Sequence, residues 1–528
     1  MESARESRSK ARRQERIMDF THPYDVIVIG AGIGGLGCAA MLASAGQKVL
    51  VLEKDVHIGG TSYIFQRNGY GFPMGPLSFS FPGRIKKFFK AVGIDKEIQF
   101  KRNHFELVTP DFDIIYSRPL AELREELEAL FPAESKGFEK FFPLIKQIIQ
   151  ESAEIWRWHP EYFSFEKRRA ALKSLDGQLR EKCRRIQEWS STPCAGFLDD
   201  LFSLEMIKNF LGTQGTERPE MSLLALGFMW NVISEVGIWF PDCGIHGLNE
   251  MLRDLVVSRG GEVRLNSAVK EIRVENGRAR GVLTERGEVV TGRWIVSNAD
   301  YKKTVLELIQ PSRLPGDFMD RVKRAPYTGS ELCVYLGIDP GGADLSRLRA
   351  THVFFRRKSD PERDSDPYDF DNREIEICRW SENAPGLVPA GKASLVVRVG
   401  LPSSLFAAFR CGEKTRTVGY RDYKLKLARS LIQTVESFLP GLSNSVEVME
   451  IATPLTYQDW GHRSGGSIAG WSWKAMDEKL AGGKLLVETP VENLLMAGIY
   501  ASTELFLGGV PTSLHTAGLA ADRILEKE

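Results

Sequence analysis

Residues 25–53 most constrain what this chain folds into. Val26-Ile27-Val28-Ile29 is a continuous β-branched run of the kind found in a buried parallel strand, and it leads directly into Gly30-Ala31-Gly32-Ile33-Gly34-Gly35. Leu36 to Ala45 is rich in Ala, Leu and Met and reads as a helix stopped by Gly46. Lys48-Val49-Leu50-Val51-Leu52-Glu53 then reads as a second strand finishing on an acid. The stretch is apolar enough to be mistaken for a membrane span, but residues 25–46 hold six glycines and no continuous lipid-facing run.

Strand, glycines, helix, strand and acid follow one another within about 30 residues, the order of a dinucleotide-binding unit. Gly30 permits the tight turn, Gly32 lets the backbone approach a pyrophosphate, and Gly35 allows close packing of helix on strand. The helix N-terminus presents N–H groups and positive dipole to the anion. Glu53, 21 residues beyond Gly32, is placed to accept hydrogen bonds from a ribose 2′-hydroxyl. An acid at that position disfavours a 2′-phosphate, and with it NADP.

Composition removes other classes. In 528 residues, 70 Lys+Arg balance 69 Asp+Glu, so there is no whole-molecule field to draw the chain to nucleic acid or anionic lipid. The seven cysteines lie far apart, with no C-x-x-C and no pairing with histidine at metal-ligand spacing, so no metal site is expected. They fit free thiols in a reducing, cytoplasmic setting. Cys333, in the strand-like Glu331 to Leu336, reads as core or as pocket lining. The first 17 residues are polar and basic without an apolar core, which reads as a disordered tail over 1–20, with Met1 or Met18 as the true start.

A second glycine pair, Gly59-Gly60-Thr61, and then Gly69 to Pro76 suit a cofactor longer than NAD, because the chain must approach an extended ligand again. On these motifs the sequence resembles the FAD-dependent phytoene desaturase, carotenoid isomerase and retinol saturase family, within the amine oxidase-like flavoproteins. The likeness continues at Gly244 to Leu248, at Glu262 to Ile272, at the hairpin signal Asn276-Gly277, at Trp294 to Asp300, and at Asn493 to Gly498 followed by a helix over Val510 to Leu525. It implies FAD, held by Gly30, Ala31, Gly32, Gly35, Glu53, Gly60, Thr61, Val269, Gly498 and Val510. The backbone of Val269 would meet the adenine. No second G-x-G-x-x-G unit offers an NAD(P)H domain, so the electron acceptor is left open among oxygen, a quinone and another carrier.

The expected fold is α/β. A discontinuous Rossmann-like FAD-binding domain (21–78, 242–305 and 485–528) is interleaved with an α+β substrate domain (79–241 and 306–484), a helical lid plus a sheet. Helices are expected over Ala121 to Leu130, Gly137 to Trp158, Phe165 to Trp189 and Tyr423 to Phe438, and strands over Ser330 to Ile338 and Lys392 to Gly400. Residues 356–373 read as a solvated charged loop.

The resemblance implies an apolar polyene or isoprenoid substrate and a desaturase, saturase or isomerase reaction. Amine oxidase-like C–N oxidation is the alternative, and a non-enzymatic carrier of prenylated proteins is a third reading from another class. Glu504 and His515 are weak candidates for acid or base. Phe72 to Pro76 lacks the acid usual in the family, and Ser502 to Thr512 departs from its glycine-rich closing stretch, so the particular reaction is left open. Phe79 to Lys90 interleaves aromatic and basic residues, which raises peripheral membrane contact beside ordinary inward packing. Trp156, Trp158, Trp239 and Phe240 suit either core or an apolar tunnel.

Overall fold

The computed structural model describes residues 23–158, 176–358, 366–472, 486–502 and 508–527. It opens with strand β1 (Tyr24–Ile29), helix α1 (Ile33–Ser44) and strand β2 (Val49–Leu52). Val26 to Val28 and Val49 to Val51 are fully buried. A parallel strand covered on both faces has no solvent side, which is why neither run alternates with polar residues. Gly46, at φ +84°, ends α1 as a left-handed residue.

Hairpin β3 (Ile64–Arg67) and β4 (Tyr70–Pro73) follows. Helix α2 (Pro82–Ala91) buries Ile85 and Phe89, and Phe79 just before it is buried too. Phe81 and Phe88 are half-buried, while Lys86, Lys87 and Lys90 face solvent. The aromatic residues of 79–90 thus pack largely inward, and the exposed face of α2 is basic.

Next come β5 (Phe105–Val108) and β6 (Asp113–Ile115). Helices α3 (Leu120–Leu130), α4 (Ser135–Trp158), α5 (Gly177–Ser191) and α6 (Leu223–Trp230) share a core that includes Leu123, Phe138, Phe141 and Trp230. The start of the helix expected from Phe165 lies outside the described residues.

Helix α7 (Gly244–Ser258) buries Leu248, Leu252 and Val256 beside α1. Strand β7 (Glu262–Arg264) joins β2 in parallel. Strands β8 (Val269–Glu275), β9 (Arg278–Thr284) and β10 (Val289–Ser297) form a meander. Asn276 and Gly277 both have positive φ in the turn between β8 and β9, as a type I′ turn requires. The last residues of β10 run parallel to β1.

The second sheet uses β11 (Glu331–Ile338), β12 (His352–Phe355), β13 (Ile375–Cys378), β14 (Ala393–Gly400) and β15 (Val446–Ala452). Helix α8 (Tyr420–Glu436) lies between β14 and β15 in the chain, and α9 (Pro454–Asp459) follows β15. Its order is β15-β11-β14-β13-β12-β5-β6. Leu332, Val334, Leu336, Ile377 and Val397 on one face pack against Leu427, Leu431 and Val435 of α8. The chain closes with β16 (Leu494–Met496) and α10 (Gly509–Leu525). β16 pairs in parallel with the end of β10, completing the first sheet, whose main path is β7-β2-β1-β10-β9-β8. Three distant stretches of chain therefore build one mixed sheet, parallel except across β10, β9 and β8.

The helix over Gly316–Arg324 buries Phe318 and Val322. One expectation needs correcting. In the charged stretch 356–373, Phe370 is fully buried and Asp371 pairs with Arg357 and Lys358 at 3.2 and 3.1 Å, so its described end is anchored. Residues 359–365 of that stretch lie outside the described residues.

Candidate functional site

The C-terminal ends of β1, β2, β10 and β16 meet in one crevice, and the glycines of the first motif line it. Gly30 (φ +93°) turns the chain out of β1, and its N–H donates to the Leu52 carbonyl at 2.8 Å. A Cβ at Gly35 would overlap the Gly30 carbonyl oxygen, so a side chain there would push α1 away from β1. Gly32 is the N-cap of α1 and provides no side-chain cap, which leaves the first-turn N–H groups without a side-chain partner. The Gly59 N–H donates to the Ala31 carbonyl at 2.8 Å, and a Cβ at Gly60 would stand 3.6 Å from the Gly32 Cα. The two glycine motifs are thus neighbours in space.

Glu53 is only 6% exposed. Its carboxylate accepts the Ala31 N–H at 2.7 Å and the Asp55 N–H at 2.9 Å. Burial pushes this carboxyl up, and the two amides pull it back part of the way.

Asn298, just past β10, had no role in the sequence reading. Its side chain fills the space between the motif glycines and Gly498. A Cβ at Gly32 would stand 2.9 Å from Asn298 Nδ2, and one at Gly34 would stand 2.6 Å from Oδ1. A side chain at Gly32 would therefore displace the Asn298 amide as well as intrude on any ligand. Gly498 (φ +90°) donates its N–H to Thr516 Oγ1 at 3.0 Å, a buried contact that ties β16 to α10. No spacing rule marks Asn298 or Thr516, because each serves a turn that is distant in sequence.

Of the other expected residues, Val269 opens β8 half-buried and Val510 is buried in the first turn of α10. Thr61 Oγ1 accepts from Arg463 at 3.0 Å. His515 is half-buried within α10, and Glu504 lies outside the described residues. At Gly75, in the stretch that lacks the usual acid, a Cβ would come 2.7 Å from the Thr61 carbonyl oxygen, so Phe72 to Pro76 folds back onto the second glycine motif.

On the face of the second sheet turned away from α8 stands a row of polar groups. His352 Nδ1 lies 2.7 Å from Glu376 Oε1. Glu376 forms a short ion pair with Arg398, its neighbour across β13 and β14. Arg398 lies 3.9 Å from Glu331, which accepts the Tyr457 hydroxyl at 2.5 Å. With a carboxylate at Nδ1, the network assigns the His352 proton there. Nε2 is then the acceptor, 3.3 Å from Asn103 Nδ2 and 3.4 Å from Ser78 Oγ. Burial pushes the Glu376 carboxyl up, but Arg398 and His352 outweigh it and hold the group down, to about 2. Glu331 goes the other way: burial raises it by more than Arg398 and Tyr457 lower it. Cys333 sits on the same face, 1% exposed, its thiol pushed up by burial.

This row adjoins the crevice at two points. Ser78 is three residues beyond Gly75, and the chain leaving Tyr457 reaches Thr61 through Arg463. The sequence does carry a trace of it. Glu331, Glu376 and Arg398 each alternate with apolar residues, a pattern that ordinarily marks a solvent face; here that face is covered.

A protein-family model described as flavin containing amine oxidoreductase matches residues 33–374, and the chain belongs to that family. It is an FAD-dependent oxidoreductase, and the prenyl-protein carrier reading is set aside. Among characterised relatives, the 4,4'-diapophytoene desaturase (4,4'-diapolycopene-forming) of Methylomonas sp is 26% identical over 398 residues, 72% of this chain and 73% of the relative. The chloroplastic prolycopene isomerase of Daucus carota is 27% identical over 471 residues, 84% of this chain and 71% of the relative. An oxidoreductase from Methanosarcina mazei shares the fold, with a TM-score of 0.60 at 15% identity over 94% of this chain and 99% of that one. The crevice suits FAD: side chains are missing where a dinucleotide backbone would pass, and a buried acid stands where a ribose would lie.

Proposed function

We propose that this enzyme acts on the C=C or C–C bonds of an apolar polyene or isoprenoid, as a desaturase, a saturase or a cis–trans isomerase. The observation that carries the reading is the similarity to a desaturase and to an isomerase of such chains, each spanning most of this sequence. Gly30, Ala31, Gly32 and Gly35 would hold the pyrophosphate, Glu53 the adenosine ribose, and Val269 the adenine. Gly60, Thr61, Gly498 and Val510 would bracket the remainder. Bound FAD supplies the hydride acceptor or donor. The chain's part is to hold the substrate against it, to exclude water and to manage protons. Glu376 at Nδ1 fixes the orientation of the His352 ring, leaving Nε2 towards Asn103 and Ser78.

Oxidation of a C–N bond is the second reading, and one observation favours it. Two carboxylates, Glu376 and Glu331, face a single Arg398, a surplus that suits a protonated amine. Burial of Glu331 reduces that surplus. Incubating the flavin-loaded enzyme with a panel of polyenes and a panel of amines separates the two. A shifted polyene absorption band is expected, with no amine-dependent peroxide; peroxide with amines and unchanged polyene spectra would sink the proposal.

No helix among the described residues is long and apolar enough to cross a membrane. Contact with a membrane surface would use the exposed Lys86, Lys87 and Lys90 of α2, by charge and not by inserted rings.

A further inference from the structure

The loop after α9 crosses from the second sheet onto the glycine crevice and is fastened there by three consecutive residues. His462 Nε2 lies 2.8 Å from Asp55 Oδ2. Arg463 Nη2 donates to Thr61 Oγ1 at 3.0 Å. Ser464 donates to Asp300 twice, from its N–H at 2.8 Å and its hydroxyl at 2.9 Å. Each anchor flanks a residue of the crevice: Asp55 comes two after Glu53, Thr61 one after Gly60, and Asp300 two after Asn298. The crossing requires unusual backbone, with His462 at φ +53°, Gly465 at +63° and Gly466 at +72°. A histidine persists in the left-handed region where its surroundings hold it.

Arg463 is the residue whose charge this arrangement leaves unbalanced. Its guanidinium donates to Thr61 and, at 3.3 Å, to the Ile468 carbonyl. Among the described residues no carboxylate pairs with it, although Asp55 and Asp300 are both nearby and bonded to its chain neighbours. It stands beside Gly60, whose Cβ position is 3.6 Å from the Gly32 Cα, at the N-terminus of α1. A diphosphate at that N-terminus would supply the missing negative charge, and a guanidinium is well shaped to meet it.

The geometry points to residues 462–464 as a clasp that retains FAD, with Arg463 as the cation that meets its diphosphate. The clasp couples the two parts of the molecule, since α9 carries Tyr457 of the polar row and the loop leaving it closes on the cofactor. The inference rests on FAD lying in this crevice.

Release of flavin from the loaded full-length enzyme tests it, followed by fluorescence on dilution at several salt concentrations. Arg463→Gln is expected to release FAD about tenfold faster or more, the loss expected for one charge-assisted contact. It should also lose most of the wild type's acceleration by salt. Arg463→Lys should recover much of the retention, and His462→Ala, which unfastens the clasp but keeps the guanidinium, should fall between. Should Arg463→Gln fold but purify colourless, recovery of flavin only at raised FAD concentration supports the same conclusion. Release within twofold of wild type, or a lysine variant no better than the glutamine one, overturns the clasp. Glu53→Gln run in parallel distinguishes the failures: if it alone sheds FAD, the crevice holds the cofactor without the clasp, and if neither does, the crevice assignment falls as well.

Discussion

In the first sheet the working groups stand past the ends of the strands, whereas in the second, mainly antiparallel sheet they stand on the strands themselves. β1 and β2 are apolar and buried on both faces, so what their own βαβ unit offers a ligand comes from backbone, glycine and one terminal acid. The second sheet has one face packed on α8 and carries charged side chains on the other. Backbone recognition demands the absence of side chains and tolerates almost no substitution. Side-chain recognition demands mutual compensation, so its members fail one at a time. The first suits a fixed cofactor.

The contrast can be broken at its strictest point first. In Gly35→Ala the new methyl overlaps the Gly30 carbonyl, a backbone atom with nowhere to go. A loss of about 4 kcal/mol or more is expected, as for the most disruptive core changes. It would be seen as little soluble protein and no bound flavin. A soluble variant with normal flavin content would mean that the turn is not held as described.

A smaller effect is expected in the second sheet. Glu376→Gln leaves Arg398 and His352 without their shared carboxylate, and breaking a buried pair in this way costs about 3–5 kcal/mol. Its pH dependence has a definite sign. The folded-state value, about 2, lies below the ordinary 4.5, so the stabilisation is complete above pH 4.5 and is lost as the pH falls towards 2. Denaturant unfolding of wild type and variant should therefore differ most near neutrality and converge in acid. A gap that stays constant with pH would remove the ion pair from the account.

Much of the first sheet was legible in the sequence because its rules are local. The run Val26 to Ile29, the spacing of Gly30, Gly32 and Gly35, and the acid at Glu53 all lie within one βαβ unit. The Asn276-Gly277 turn and the return of β10 were legible for the same reason. Asn298 and Thr516 were not, since their partners lie 200 or more residues away or in the turn before another element. His352, Glu376, Arg398 and Glu331 come from four strands spread over residues 331–398, and nothing in any one strand tells that its polar side is covered. Only the pairing of β12, β13, β14 and β11 brings them together.

The division of labour between the two sheets is tested most directly by flavin occupancy in two folded variants purified side by side. Glu53→Gln, in the crevice, is expected to hold FAD about tenfold more weakly or worse, the loss for a charge-assisted contact. Glu376→Gln, on the polar row, is expected to keep its full complement of FAD while turnover falls. If Glu376→Gln sheds flavin as readily as Glu53→Gln, the polar row supports the cofactor, and the separation drawn between the two sheets is wrong.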